Sequence, residues 1–255
     1  MDVIEHNRLA WDRESAAGGP WSIPVDAATI ARARAGDWSV ILTPTVPVPR
    51  AWFGDLGGAE VLGLASAGGQ QMPVLAAAGA RVTSFDLSAE QLARDREVAE
   101  REGLPLRCVR GNMQDLSVFA AASFDLVFHP VSNLFVPDLA PVWAECARVL
   151  RPGGRLLAGF CNPAWFQCDE DAPAPVLCFR PPYREPDSLG PEAEAAWRAR
   201  GEQAIFAHGL EDQIGGQLAA GLRIDGFFED AWPGVDWPLS GWVPAAYATL
   251  AVRLP

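Results

Sequence analysis

Val61-Leu62-Gly63-Leu64-Ala65-Ser66-Ala67-Gly68-Gly69 joins a short apolar run, residues 60–65, to a helix-like stretch, residues 70–78. Small residues at such a junction let the backbone pass close to a ligand. The helix start beyond offers unpaired N–H groups to polar or anionic atoms. Pro73 suits this helix because it falls near the first turn, and Gly79 supplies a stop. The next strand, residues 81–86, ends in Asp86. A carboxylate at that point accepts hydrogen bonds from both hydroxyls of a ribose. Taken singly, the glycines make a tight turn and Asp86 starts a helix. Together with the capping-box spacing Ser88-Ala89-Glu90-Gln91, they point to a nucleoside ligand in the crevice at the strand carboxyl ends.

The same alternation extends outward. A helix is expected from residue 88 to about 102, closed by Gly103. Strands follow over 106–110 and 123–129. A helix over 138–150 carries apolar spacing at Leu139, Val142, Trp143 and Cys146, stopped by Pro152-Gly153-Gly154, and residues 155–161 form a fifth strand. Strands alternating with helices of this length make βαβ units and a parallel sheet with right-handed crossovers. Residues 162–190 read as a long loop or lid, broken by Pro163, Pro173, Pro175, Pro181, Pro182 and Pro186 and carrying the acidic cluster Cys168-Asp169-Glu170-Asp171-Ala172. Loops this long in compact domains are usually functional. Helices are expected over 192–208 and 211–220, and strands over 222–229 and 245–253. Helical pieces over 7–16 and 27–35, with a Pro-rich link over 43–49, form an extension packed on the sheet. The expected organisation is one domain: extension 1–54, cofactor-binding core 55–162, insertion 163–205, and completion of the sheet 206–255.

Composition bounds the function. The chain has 255 residues, 32 acidic and 20 basic, for a net charge of −12, and every basic residue is an arginine. That balance disfavours a nucleic-acid groove, which needs clustered positive charge. Without lysine there is no Schiff base or amine nucleophile. The −12 favours an acceptor that is small and neutral or cationic. No apolar run approaches the roughly 20 residues of a membrane helix, and the opening residues lack the layout of a signal peptide. Five scattered cysteines and three histidines, none at metal-ligand spacing, suggest free thiols in the cytoplasm and no metal site.

The order of the small-residue turn, Asp86, Gly111-Asn112-Met113, Ser123-Phe124-Asp125-Leu126-Val127 and Arg148-Val149-Leu150-Arg151-Pro152-Gly153-Gly154 resembles class I S-adenosylmethionine-dependent methyltransferases over about residues 55–162. The resemblance implies a doubly wound α/β fold. Its sheet is seven-stranded and mostly parallel, of order 3-2-1-4-5-7-6, with the last strand antiparallel and helices on both faces. It implies S-adenosylmethionine as cofactor. It places Ala65, Ser66, Ala67, Gly68, Gly69 and Gln70 along the methionine and ribose portion, Asp86 on the ribose hydroxyls and Leu87 on the adenine. Asn112 and Met113 would frame the adenine edge, and His129 and Pro130 would face the methyl donor, beside Val131, Ser132 and Asn133. Two positions depart from the family pattern acid-x-Gly-x-Gly-x-Gly: the first-strand acid is absent, and Ala65 and Ala67 stand for glycines.

Methyl transfer is an in-line displacement in which positioning matters most. His129 is the candidate base if the acceptor must lose a proton; otherwise it holds the methionine part or the loop. Trp11, Trp21, Trp38 and Trp52, and likewise Trp232, Trp237 and Trp242, either wall a substrate pocket or anchor packing. His208 with Glu211 and Asp212 reads as a helix start. The expected function is methyl transfer to a small molecule. The alternatives are an inactive nucleoside-binding protein of the same fold and a nicotinamide-dependent oxidoreductase. For the latter, the G-x-G-x-x-G fingerprint would fall on Ala65, Ala67 and Gln70, and it matches none of them.

Overall fold

The computed structural model describes residues 2–169, 175–235 and 237–255. Seven strands, β1 (Glu60–Leu64), β2 (Arg81–Asp86), β3 (Leu106–Arg110), β4 (Phe124–His129), β5 (Leu150–Cys161), β6 (Leu222–Asp230) and β7 (Ala246–Arg253), form one sheet of order β3-β2-β1-β4-β5-β7-β6. β7 runs antiparallel to both its neighbours and the other pairings are parallel. This is the expected topology.

Alternation along the central strands separates two cores. Val61, Leu126, Phe128 and Leu157 face helices α2 (Ala27–Arg34), α3 (Gln71–Ala77) and α4 (Ala89–Glu102), whose Ile30, Leu75 and Val98 are fully buried. Leu62, Leu64, Val127 and Leu156 face α5 (Ala140–Val149), which contributes Val142, Trp143 and Cys146. Each such side chain contributes about 1.5–3 kcal/mol on leaving water. The parallel strands therefore read as continuous apolar runs because both faces are covered.

The extension begins with α1 (Val3–Ala16), capped by Asp2 accepting from the amides of Ile4 and Glu5. Asn7, buried on this helix, donates to the carbonyls of Phe135 and Ala204 and accepts from the Ala204 amide. One side chain thus ties the extension to two distant loops.

Several boundaries differ from expectation. β5 starts at Leu150, so Arg-Pro-Gly-Gly lies inside the strand rather than ending α5. The last α5 carbonyls, of Arg148 and Val149, accept from Ala122 and Ser123, which draws the chain into register with β4. The helix expected over 192–208 is α6 (Pro191–Arg200) only. Gly201, in the left-handed region at φ 65°, closes it, and the chain turns inward so that Ala204, Phe206 and His208 are buried. Residues 211–220 divide into a π-helical turn, Glu211–Gly215, and α7 (Gly216–Ala219). Of the acidic cluster, Glu170, Asp171 and Ala172 lie outside the described residues.

Candidate active site

A cavity of about 500 Å³ opens over the carboxyl ends of β1, β2, β3, β4 and β5 and the amino end of β7. Among the expected site residues, Ala65, Ser66, Ala67, Asp86, Leu87, Asn112, Met113 and Pro130 line it. Gly68, Gly69, Gln70 and His129 do not.

The turn after β1 keeps the shape that glycines would give it. Ala65 and Ala67 both have positive φ, 49° and 65°. Such a conformation costs an L-residue about 1–2 kcal/mol, and it marks strain at the cavity wall. At the position of the missing first-strand acid, neighbouring side chains fill the space. A Cβ at Gly63 would sit 2.0 Å from the Met72 sulfur and 2.8 Å from Ser66 Oγ. Ser66 lines the cavity, and its Oγ is buried and without a protein partner.

Two amides of this turn are already used elsewhere, which corrects the placement of Gly68 and Gly69 along the ligand. Gly68 N–H donates to Trp21 O and Gly69 N–H to Asp95 Oδ1, while Gly69 O accepts from Val25 N–H. Gln70 Nε2 donates to the carbonyls of Pro20 and Ile23. The extension straps the outer side of the turn, and the cavity takes the inner side.

Asp95 was not legible as a site residue. It is 1% exposed on α4, accepts from Gly69 N–H and Ser84 Oγ, and burial raises its pKa to about 7. Its one sequence signal is an acid set into the apolar face Leu92, Val98 and Ala99.

Asp86 ends β2 beside the cavity. Its Oδ1 accepts from Ser88 N–H at 2.8 Å. Desolvation raises its pKa to about 7, against the lowering effect of that bond, and the nearby Asp12 carboxylate adds to the rise. Asp12 in turn accepts from Ser88 Oγ and pairs with Arg8. Half of the capping box forms: Ser88 Oγ accepts from Gln91 N–H, while the Gln91 side chain accepts from Ser22 Oγ instead. Asn112 Oδ1 accepts from Gln114 N–H and closes its own turn.

His129 lies fully buried beneath the cavity, edge-on to Trp143 with ring centroids 6.0 Å apart. Its Nδ1 is 2.8 Å from Leu64 O. A carbonyl only accepts, so Nδ1 carries the proton. Nε2 has no protein partner, and burial lowers the pKa to about 4. The structure thus holds a neutral imidazole that props the end of β1 and does not reach the cavity wall. Asn133, expected beside it, pairs its amide with that of Gln213.

The tryptophans divide. Trp11, Trp21, Trp232 and Trp237 line the cavity, joined by Trp165, which sequence reasoning missed. Trp38 packs edge-on to Phe53, Trp52 packs against Phe228, and Trp242 is exposed. Asp212 accepts from Gly209 N–H at a helix start, while His208 Nε2 bonds to Val136 O. Among the described residues, no group of three His, Cys, Asp or Glu is placed to hold a metal ion, and no helix is long and apolar enough to cross a membrane.

Comparison with known proteins agrees with the geometry. Residues 62–158 match the methyltransferase domain family. An uncharacterized methyltransferase of Bacillus subtilis is 45% identical over 231 residues, covering 89% of this chain and 91% of that one. A ubiquinone biosynthesis O-methyltransferase of Xanthomonas oryzae is 30% identical over 58% of this chain and 64% of its own. The fold is shared with a geranyl diphosphate C-methyltransferase of Streptomyces coelicolor, with TM-score 0.64 and 16% identity over 100% of this chain and 99% of that one. It is shared too with an S-adenosylmethionine-dependent methyltransferase of Mesorhizobium loti, with TM-score 0.63 and 18% identity over 80% and 95%. The chain belongs to the class I S-adenosylmethionine-dependent methyltransferases.

Proposed function

We propose that this protein binds S-adenosylmethionine through Asp86, Asn112 and the turn after β1, and transfers its methyl group to a small organic acceptor in the same cavity. The observation that carries this reading is one cavity that brings Ser66, Asp86 and Asn112, after β1, β2 and β3, together with Trp165, Trp232 and Trp237, after β5 and β6. The orphan Ser66 Oγ and the under-used Asp86 carboxylate fit a ligand that brings hydrogen-bond donors. Asp86 would hold the ribose diol, Leu87 and Met113 the adenine faces, and Ser66 the amino-acid end, where Met72 leaves no room for an acid.

The bound sulfonium supplies an electrophilic methyl group with a neutral thioether as leaving group. The chain's own part is to orient it, keep water out and hold the acceptor in line. His129, neutral and below the wall, keeps Leu64 and hence Ala65 in place. The acidic charge and the enclosed apolar walls favour a small acceptor over a nucleic acid.

Thermal unfolding with S-adenosylhomocysteine tests the reading. At a hundred times its Kd, a ligand of the folded state adds about 2.7 kcal/mol. The expected result is stabilisation by S-adenosylhomocysteine and none by NAD. No shift with S-adenosylhomocysteine would overturn the proposal.

A further inference from the structure

The half of the cavity over β5 and β7 has a wall of its own. Trp165, just after β5, stacks on Trp232 and Trp237, which follow β6. Ring centroids are 6.3 and 5.7 Å apart and the planes differ by only 17° and 10°. Trp165 Nε1 donates to Pro244 O, and Trp237 Nε1 donates to Trp165 O. These two indole N–H groups are spent on backbone, so Trp165 and Trp237 bring ring carbon rather than donors to the cavity. Cys161, Ala245 and Ala246 add small side chains to the same end.

This wall is held under strain. Trp232 has φ 47°, a genuine outlier for so bulky a residue. Asp230, 1% exposed at the end of β6, holds it there. Its Oδ1 accepts from Trp232 N–H and Thr45 Oγ1, and its Oδ2 from the amides of Thr45 and Val46. The Pro-rich link and the Trp232 turn are thereby clamped together beside the cavity. Strain kept in place by such a network is characteristic of ligand clamps.

We infer that this half binds a neutral, flat aromatic acceptor, stacked on the slab formed by Trp165, Trp232 and Trp237, with Asp230 as the residue that positions Trp232. The near-parallel indoles decide the shape. A cation-binding box needs ring faces converging on one point, whereas a slab fits a second flat ring. The spent N–H groups of Trp165 and Trp237 bear on the polarity, since a strongly hydrated acceptor would lose water against these rings without recovering its hydrogen bonds there. This inference rests on the methyltransferase reading only for which ligand is the acceptor.

The test is calorimetric titration of the protein, saturated with S-adenosylhomocysteine, with three probes: 2-naphthol, its saturated analogue decahydro-2-naphthol, and benzyltrimethylammonium. The expected order puts 2-naphthol first, by at least about fivefold over the saturated ring. Trp237→Leu should weaken 2-naphthol by at least about fivefold while Trp237→Phe keeps most of the affinity. Asp230→Asn should weaken 2-naphthol with S-adenosylhomocysteine affinity unchanged, which also shows that the variant is folded. Equal binding of the saturated ring, tighter binding of the cation, or no binding of 2-naphthol would each overturn the inference. Failure of S-adenosylhomocysteine itself to bind would strike the donor reading, and the probe order on the free protein would still decide the stacking claim.

Discussion

The two halves of the cavity are built by different means. The half beneath Asp86 and Asn112 sits on the ends of parallel strands, so its polar groups take their places from sheet register. The half beneath Trp165 and Trp237 is assembled from segments after β5 and after β6, joined by indole-to-carbonyl bonds and one buried carboxylate. The sheet therefore fixes a polar grip, while loops supply an apolar wall. Such a division lets the wall change between relatives without disturbing the grip.

The comparison breaks most visibly at Trp165. Trp165→Ala should cost about 3–5 kcal/mol in denaturant unfolding, as expected for a buried Trp. S-adenosylhomocysteine affinity should change little in the fraction still folded. If that affinity collapses as well, the halves are not separate. On the other side, Asp86→Ala should weaken S-adenosylhomocysteine at least tenfold, about 1.4 kcal/mol, by calorimetry. Unchanged affinity would refute the ribose assignment.

The polar half should also respond to pH. With the Asp86 pKa near 7 and the carboxylate as the form that accepts from a diol, affinity should rise about tenfold between pH 6 and pH 8. Asp86→Asn should abolish that slope. A flat profile in the native protein would place the diol elsewhere. The smallest effect is at the strained turn. Ala67→Gly relieves an αL penalty of about 1–2 kcal/mol and adds back about 0.4–1 kcal/mol of unfolded-chain entropy, so a net gain near 0.5 kcal/mol is expected in thermal unfolding. A loss would mean that the Ala67 methyl group makes packing contacts worth keeping.

The polar half was the more legible of the two in sequence. The turn, Asp86 and Asn112 lie at strand ends that period and punctuation reveal. What sequence could not show was that the amides of Gly68 and Gly69 are taken by Trp21 and Asp95, because those contacts join segments far apart in the chain. His129 illustrates the same limit. Its position at the end of β4 was legible, but its rotation under the sheet toward Leu64 depends on Trp143 filling the space beside it. The tryptophans were undivided in sequence because wall and core use the same residue type. Trp52, for instance, belongs to the core because Gly226 leaves space for its ring. The over-long α6 has a local cause, since Gly201 was present but outweighed by the helix formers around it.

The strap across the first turn bears on modularity. The stretch that matches the methyltransferase domain family, residues 62–158, gets the outer support of its ligand turn from Pro20, Trp21, Ile23 and Val25. The first of the extension's helices is in turn moored to Ala204 through Asn7. The family stretch is thus not an interchangeable cassette. Grafted without both flanks, it would carry the signature residues but leave the turn to find its shape in water, and chimeras between relatives should exchange all three segments together.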